Sequence, residues 1–168
     1  MSNGKQWFVF YTKSRQEKKV SELLVRFGFE PYLPLQKVLR QWSDRKKKVE
    51  VPLFNSYIFV HVEEARVPDV LKIPGVAWNI RHNGKPAVLH PKELETIQRF
   101  LTSGLLLETH PVDQLETGDN VHVIDGPLRG MFGRLMDTAE GNRFLVALDS
   151  IGQSIRVTLE PGLMKKAT

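Results

Sequence analysis

The first part of the chain passes from a strand-like to a helix-like pattern of apolar residues. Residues 7–12 are continuously aromatic or β-branched, as expected for a strand whose two faces are both covered. Apolar residues then recur at helical spacing from Val20 to Phe27, and Gly28 follows them. Ser14 stands three residues before Glu17, which is the spacing of a capping box. The pattern predicts a central strand followed by a helix that packs its apolar side on the sheet.

The pattern continues through further short elements up to residue 104. Segments 32–39 and 48–53 are extended arms joined by a polar, basic turn, which predicts a projecting hairpin. Residues 57–62 alternate as a strand, with Tyr57, Phe59 and His61 on one face. The remaining expectations are a short helix at Pro68, a hairpin around Asn83-Gly84, and a last helix from Pro91 to near Gly104. These elements predict an α+β sandwich.

The last third of the chain has a different pattern. Residues 105–116 have no sustained period and predict a linker. From residue 117 to 168, short strand-like runs at 121–124, 132–136, 143–148 and 154–159 alternate with Gly, Pro, Asp and Asn turns. We therefore predict an α+β fold, with an antiparallel sheet and flanking helices over residues 1–104, followed by a small β-barrel at 117–168. Glycines interrupt every long window of the second region, so a helical form of it is not expected.

The composition indicates the type of protein and the compartment in which it is expected. Apolar residues make up 41% of the chain and charged residues 26%, which is ordinary for a globular protein. The chain has no cysteine, so disulfides and thiolate metal sites are excluded. No apolar run is long enough to span a bilayer, and no signal peptide precedes the first strand. A cytoplasmic protein without a membrane partner is expected.

Charge is distributed unevenly along the chain. Residues 1–50 hold 12 Lys and Arg against 5 Asp and Glu, whereas residues 101–168 hold 6 against 9. A basic surface attracts polyanions through counterion release, although most charged runs only solubilise a protein. The first half is thus the better candidate for nucleic-acid contact, and the last third is better suited to a protein partner.

The sequence gives little support to catalysis. The five histidines, His61, His82, His90, His110 and His122, are scattered, and none has the spacing of a metal ligand or of a nucleophile and its base. No glycine loop that could hold a phosphate precedes a helix. We predict no enzyme activity, no metal and no cofactor.

A glycine-rich string opens the second region. Residues 118–133 form a strand, a tight Gly-Pro turn and a return into the next strand, with glycines where the chain reverses. This string resembles the KOW motif, and the residues that carry the resemblance are Gly118, Val121, Val123, Gly126, Pro127, Leu128, Gly130 and Gly133. The motif is mainly a signature of fold, shared by ribosomal proteins and elongation factors.

The first hundred residues distinguish between a ribosomal protein and an elongation factor. Residues 7–11, 17–20, 52–60 and the Pro74-Gly75-Val76 turn together resemble the amino-terminal domain of the NusG family of transcription factors. Within that family, residues 12–20 and 42–46 resemble the specialised UpxY-type antiterminators, relatives of RfaH. The resemblance covers nearly the whole chain.

The resemblance implies a polymerase-binding surface. In this family an apolar depression docks on the clamp helices of the largest RNA polymerase subunit. The matching positions are Val9, Tyr11, Phe54 and Phe59. Taken alone, aromatic strand residues are more often core residues. The resemblance favours an interface role for Tyr11 and Phe59.

The resemblance also implies contact with DNA. RfaH-like members touch the non-template strand near the start of the first helix, and the hairpin edge could meet upstream duplex DNA. The corresponding basic residues are Lys13, Arg15, Lys18, Arg45, Lys46 and Lys47. Pro74 stands where RfaH has an arginine, and residues 64–66 do not form its His-Thr-Thr contact, so RfaH's own DNA specificity is not expected.

The function implied is transcription elongation or antitermination by a monomer that increases polymerase processivity. The second region would recruit a protein partner, for which a small-subunit ribosomal protein is the candidate. The alternative is a ribosome-associated KOW protein that binds RNA, which the acidic second region disfavours. A second alternative, a metabolic enzyme, would need a cofactor site or a cluster of titratable side chains, and the sequence shows neither.

Overall fold

The computed structural model describes residues 4–112, 118–139 and 141–167. Its helices are α1 (Glu17–Arg26), α2 (Val67–Val70) and α3 (Pro91–Thr102). Its strands up to residue 90 are β1 (Lys5–Thr12), β2 (Glu30–Tyr32), β3 (Leu35–Gln41), β4 (Lys46–Pro52), β5 (Tyr57–Glu63), β6 (Val76–Asn79), β7 (Arg81–His82), β8 (Lys85–Pro86) and β9 (Val88–Leu89). The later strands are β10 (Glu108–Pro111), β11 (Asp119–Val123), β12 (Phe132–Thr138), β13 (Gly141–Leu148), β14 (Gln153–Thr158) and β15 (Met164–Lys166).

The chain divides into two compact units. The first unit is Met1–Leu94 and the second unit is Glu95–Thr168, so the boundary falls within α3. Within the second unit, the buried Phe100 ring of α3 lies 6.4 Å from the ring of Phe144. Arg99 donates from Nη2 to the carbonyl oxygens of Pro127 and Arg129. The ranges expected from the sequence, 1–104, 105–116 and 117–168, stay a prediction, and their residues 1–3, 113–117, 140 and 168 lie outside the described part.

The first unit is built on an antiparallel sheet with β1 at its centre. The strand order is β2-β5-β1-β6, and β9 also pairs with β1. The expected central strand is confirmed, because β1 pairs with β5 on one side and with β6 and β9 on the other. Phe8 and Phe10 point to one face and pack in a buried core with Val20 and Leu24 of α1. Helices α1 and α2 therefore pack on this face of the sheet.

The start of α1 differs from the capping box expected at Ser14 and Glu17. No side chain caps this helix, whose N-cap residue is Gln16. The Glu17 carboxylate is buried and accepts a hydrogen bond of 2.8 Å from the backbone N–H of Ser56. The prediction was wrong because sequence spacing describes only local partners, whereas the turn before β5 brings a distant backbone donor to this carboxylate. At the other end, Phe27 is 60% exposed, so the predicted apolar stripe ends before it.

Two predicted hairpins are confirmed. Strands β3 and β4 pair in antiparallel register, and the Trp42 N–H donates to the Arg45 carbonyl across the turn at 2.7 Å. Strands β7 and β8 pair across Asn83 and Gly84, whose φ angles are +55° and +77°. Positive φ at both central residues is the geometry that makes Asn-Gly a hairpin turn.

The second unit is an antiparallel sheet of strand order β10-β14-β13-β12-β11-β15. All four predicted strands of this region are present. Strand β10 lies within the segment 105–116 that the sequence indicated as a linker, and it pairs with β14 from Glu108 to Pro111. A single polar edge strand of this kind has no apolar alternation to reveal it. The α+β prediction, with antiparallel sheets and flanking helices, is confirmed.

Residues of the KOW motif form the turn between β11 and β12, and several of them are buried. Val121, Val123 and Leu128 are buried, and the Gly130 N–H donates to the Val123 carbonyl at 2.8 Å. Gly126 and Gly130 have φ angles of +87° and +91°, which favour glycine. The string is therefore a folding signal of the second unit.

None of the helices formed by the described residues is long and apolar enough to cross a bilayer.

Candidate functional site

A row of aromatic side chains occupies the sheet face opposite the α1 core. Tyr11 of β1 stacks on Trp78 of β6, with ring centroids 4.6 Å apart and 2° between the planes. Tyr57 of β5 meets Tyr11 edge-on at 6.0 Å. Tyr11 and Tyr57 are half-buried, and Trp78 is 54% exposed. We call Tyr11, Tyr57 and Trp78 the aromatic surface.

The other predicted interface residues are buried. Phe59 has no exposed area, and Val9 and Phe54 are almost fully buried. The Phe54 ring lies edge-on to Phe59 at 6.1 Å and stacks with Tyr57 at 6.3 Å. In this structure Val9, Phe54 and Phe59 are core residues, and Phe54 contacts Tyr57 of the aromatic surface. Tyr11 alone of the four predicted residues has substantial exposed area.

The sequence analysis missed Tyr57 and Trp78 as surface residues. The alternation of β5 already placed Tyr57 on the face of Phe59. Trp78 could not be found in the same way, because its position beside Tyr11 depends on the β1–β6 register, in which these two residues are partners. That register pairs strands more than sixty residues apart in sequence.

Tyr32 and Trp7 extend the row toward the far edge of the sheet. The Tyr32 ring stacks with Phe59 at 6.3 Å and meets Trp7 edge-on at 6.2 Å. Burial raises the pKa of the Tyr32 phenol above its ordinary value, because the charged phenolate would lose hydration. Trp7 also stacks on His61 at 4.8 Å, and His61 Nδ1 lies 3.0 Å from the Glu30 carboxylate.

The basic residues at the start of α1 line a groove. This groove has a volume of about 540 Å³, and its walls include Arg15, Lys18 and Arg40 together with Glu17 and Glu50. Lys18 donates from Nζ to the Glu50 carbonyl of β4 at 2.7 Å, which joins the helix start to the hairpin. Lys13 is exposed but is not among the residues that line the groove. The structure thus brings Arg15 and Lys18 together and adds Arg40, which sequence reasoning did not single out.

The turn that carries these residues depends on Gly75. The Lys13 N–H donates to the Gly75 carbonyl at 2.9 Å. Gly75 has φ +95°, and a Cβ there would lie 2.6 Å from a methyl carbon of Val20 and 2.9 Å from Gln16 Oε1. Only glycine fits this position without displacement.

The remaining predicted cations lie on the hairpin of β3 and β4. Arg45, Lys46 and Lys47 are all exposed, and Lys47 is the direct cross-strand partner of Arg40. Like charges placed directly opposite each other destabilise a strand pair. An anionic ligand would relieve this repulsion.

Within the described ranges, no three His, Asp or Glu side chains form a group that could hold a metal ion.

Comparison with known proteins identifies the family of this chain. The family model described as "NusG: Transcription termination factor nusG" matches residues 5–98. The proteins named transcription termination/antitermination protein NusG of Xylella fastidiosa and Pseudomonas aeruginosa are 26% and 28% identical to this chain. Each alignment covers 97% of this chain, with 100% and 99% of the relative. These relatives are named as transcription factors, not as enzymes.

A solved structure described as "Domain interaction in Thermotoga maritima NusG" superposes with a TM-score of 0.56 at 21% identity, over the full length of both chains. This similarity shows a shared fold. Because the family model spans more than half of the chain, and because relatives align along nearly all of it, the chain belongs to the NusG family of transcription termination and antitermination factors.

Proposed function

We propose that this chain is a transcription elongation and antitermination factor that binds RNA polymerase through the aromatic surface of its first unit. The observation that carries the proposal is the exposed Tyr11–Trp78 stack within a domain matched by the NusG family model. Tyr and Trp are enriched among the residues that dominate protein interfaces, because they bury a large area and lose little conformational entropy.

The clamp helices of the largest polymerase subunit are the proposed partner of this surface. Tyr11, Tyr57 and Trp78 would make the direct contacts. Val9, Phe54 and Phe59 would act by holding those rings in place, since they have almost no exposed area. A rigid aromatic platform is suited to docking because little ordering is needed on binding.

DNA is the proposed second ligand of the first unit. Lys13, Arg15 and Lys18 would meet the non-template strand, and Arg45, Lys46 and Lys47 the upstream duplex. The like-charge pair of Arg40 and Lys47 supports this assignment. Phosphate contacts of this kind add affinity without sequence specificity.

The second unit is proposed to recruit a protein, for which a small-subunit ribosomal protein is the candidate. Its sequence carries more acidic than basic residues from 101 to 168, which suits a basic partner. The protein would act in the cytoplasm as a monomer. Its similarity to UpxY-type and RfaH-like factors would make it specific for certain operons.

The proposal is tested with purified chain and a stalled transcription elongation complex. We expect the chain to comigrate with the complex and to reduce pausing or increase terminator read-through. A chain that leaves both unchanged, and that is instead recovered with ribosomal subunits from native cell extract, would favour the ribosome-associated KOW protein.

A further inference from the structure

The hairpin of β3 and β4 forms a two-stranded ribbon whose outer part is surrounded by solvent. The two strands make a sheet of their own, and no other strand of the described residues pairs with them. Every residue from 39 to 48 is exposed. Each strand has seven residues, so the ribbon extends about 20 Å at the usual rise per residue. A ribbon of this length can reach a ligand that does not touch the five-stranded sheet.

An exposed leucine lies beside lysines on one face of this ribbon. Leu39 is 58% exposed, and Lys48 is its direct cross-strand partner. Lys46 lies two residues from Lys48 on the same face, opposite Gln41. Within the described ranges, neither lysine forms an ion pair. This face therefore presents an apolar side chain next to two positive charges.

Main-chain pairing fixes the place of Leu39 in the ribbon. The register is continuous over all seven positions of each strand. At the turn, the Trp42 N–H donates to the Arg45 carbonyl at 2.7 Å, and the Gln41 side-chain amide donates to the Trp42 carbonyl at 2.9 Å. Leu39 is thus held on a paired scaffold although its own side chain meets solvent.

The charge of the ribbon suits double-stranded DNA. Residues 35–52 hold six Lys and Arg against two Asp and Glu. A single exposed leucine is common on protein surfaces, but an exposed leucine among lysines matches the two components of a DNA minor groove. Phosphates lie along both rims of that groove, and the edges of stacked base pairs form its floor. Lysines meet the rims, and an apolar side chain between them reaches the stacked bases.

Resting on the proposed contact of this hairpin with duplex DNA, we propose that the ribbon binds in the minor groove and inserts Leu39 between two base pairs. Leucine is one of the apolar residues that act as wedges in minor-groove proteins, where they unstack one step and kink the duplex by about 20–90°. Lys46 and Lys48 bind the phosphates beside the wedge. The chain therefore bends the duplex in addition to binding it.

The test uses the full chain and a fluorescence donor and acceptor at the two ends of a short duplex. A duplex of about 20 base pairs stays straight when free, because it is far shorter than the persistence length of about 150 base pairs. At saturation with the chain we expect the transfer efficiency to rise, since a kink shortens the distance between the ends. A duplex with one central mismatch should bind roughly tenfold more tightly than the paired duplex, because part of the unstacking cost is already met.

Variants at Leu39 separate the wedge from the charge. Leu39→Ala keeps both lysines, so it should still bind the paired duplex but lose the rise in transfer efficiency and the preference for the mismatch. Leu39→Met should retain both properties, because methionine is also a wedge residue. Val25→Ala is the matched control, since Val25 of α1 is exposed to 62%.

Two further variants keep the test valid if truncation disturbs the hairpin. The backbone amide signals of residues 35–52 report whether the ribbon is intact in each variant. Leu39→Thr keeps a strand-forming side chain and should give the same losses as Leu39→Ala. The double variant Lys46→Gln and Lys48→Gln should weaken the salt dependence of binding, whereas the DNA that it binds should still be bent.

The proposal is overturned by any of three results. The first is an unchanged transfer efficiency when the paired duplex is saturated with the unaltered chain. The second is equal bending by the Leu39→Ala and Val25→Ala chains, and the third is equal affinity for the mismatched and paired duplexes. Binding without bending would contradict the wedge alone, whereas a chain that binds no duplex would also contradict the proposed DNA contact. All of these measurements are made without polymerase, so the proposed polymerase binding is judged separately.

Discussion

The indole ring of Trp78 lies on the phenol ring of Tyr11 with 4.6 Å between their centroids and 2° between their planes. Each ring holds the other in one orientation, and Tyr57 fixes the pair from the side at 6.0 Å. Side chains that are ordered before a partner arrives lose less entropy on binding. The aromatic surface therefore has the properties of an interface anchor.

Tyr11→Ala and Trp78→Ala are expected to weaken binding to a clamp-helix fragment of RNA polymerase by about 2 kcal/mol or more each, as for interface anchors. Titration calorimetry measures the effect. Trp42→Ala is the control, because Trp42 is exposed to the same 54% but lies on the hairpin turn. Equal losses in Trp42→Ala and Trp78→Ala would contradict the site.

Phe59→Ala is expected to act on stability. Phe59 is completely buried, so truncating it should reduce the free energy of unfolding by about 3–5 kcal/mol. Urea unfolding measures this loss. A Phe59→Ala chain as stable as the unaltered one would show that the ring is not packed as the structure describes.

Charge reversal at Lys13, Arg15 and Lys46 is expected to weaken association with an elongation complex and to flatten its dependence on salt. Each phosphate contact releases counterions on binding. The slope of log affinity against log salt should therefore become smaller by about 0.9 for each contact that is lost. Lys72→Glu is the control, because Lys72 is also exposed but lies beside Asp69. An unchanged slope would mean that the three cations only solubilise the chain.

Glu17→Ala is expected to reduce the free energy of unfolding by about 1–3 kcal/mol, because the buried N–H of Ser56 would lose its acceptor. Glu17→Gln keeps an acceptor oxygen and should cost less. Glu22→Ala on the exposed side of the same helix is the matched control. If Glu17→Ala and Glu22→Ala unfold at the same urea concentration, the hydrogen bond contributes nothing.

Gly133→Ala is expected to destabilise the second unit by about 1–3 kcal/mol or more through overpacking. A Cβ at this position would overlap the Leu145 carbonyl oxygen and lie 2.7 Å from the Phe144 ring. Gly162→Ala is the control, since a Cβ there would have no neighbour within 4 Å. Thermal unfolding of the two variants should differ clearly, and equal melting temperatures would contradict the packing.

Tyr32 should make stability decrease at high pH. Its folded-state pKa is raised by burial, so the folded chain holds the phenol proton more tightly than the unfolded chain. The resulting stabilisation is present below the unfolded-state pKa of about 10 and is lost as pH rises through the folded-state value. Tyr32→Phe should remove this part of the decrease. Identical pH profiles for the two chains, measured by urea unfolding, would show that Tyr32 titrates normally.

The sequence by itself determined the local elements and the family. The continuous apolar run of β1, the helical spacing of Val20 and Leu24, and the Asn83-Gly84 turn each act over a few residues. Short-range patterns of this kind can be read from one chain. Gly126 and Gly130 of the KOW string belong to the same class, because a positive φ is a local requirement.

Tertiary structure alone decided which of these residues are exposed. Phe59 and Tyr11 are both strand aromatics in sequence, yet the fold buries the first and leaves the second at the surface. Trp78 joins Tyr11, and Phe132 joins His122, only through strand register. Burial and register depend on contacts between distant segments. The local pattern of one strand cannot specify them.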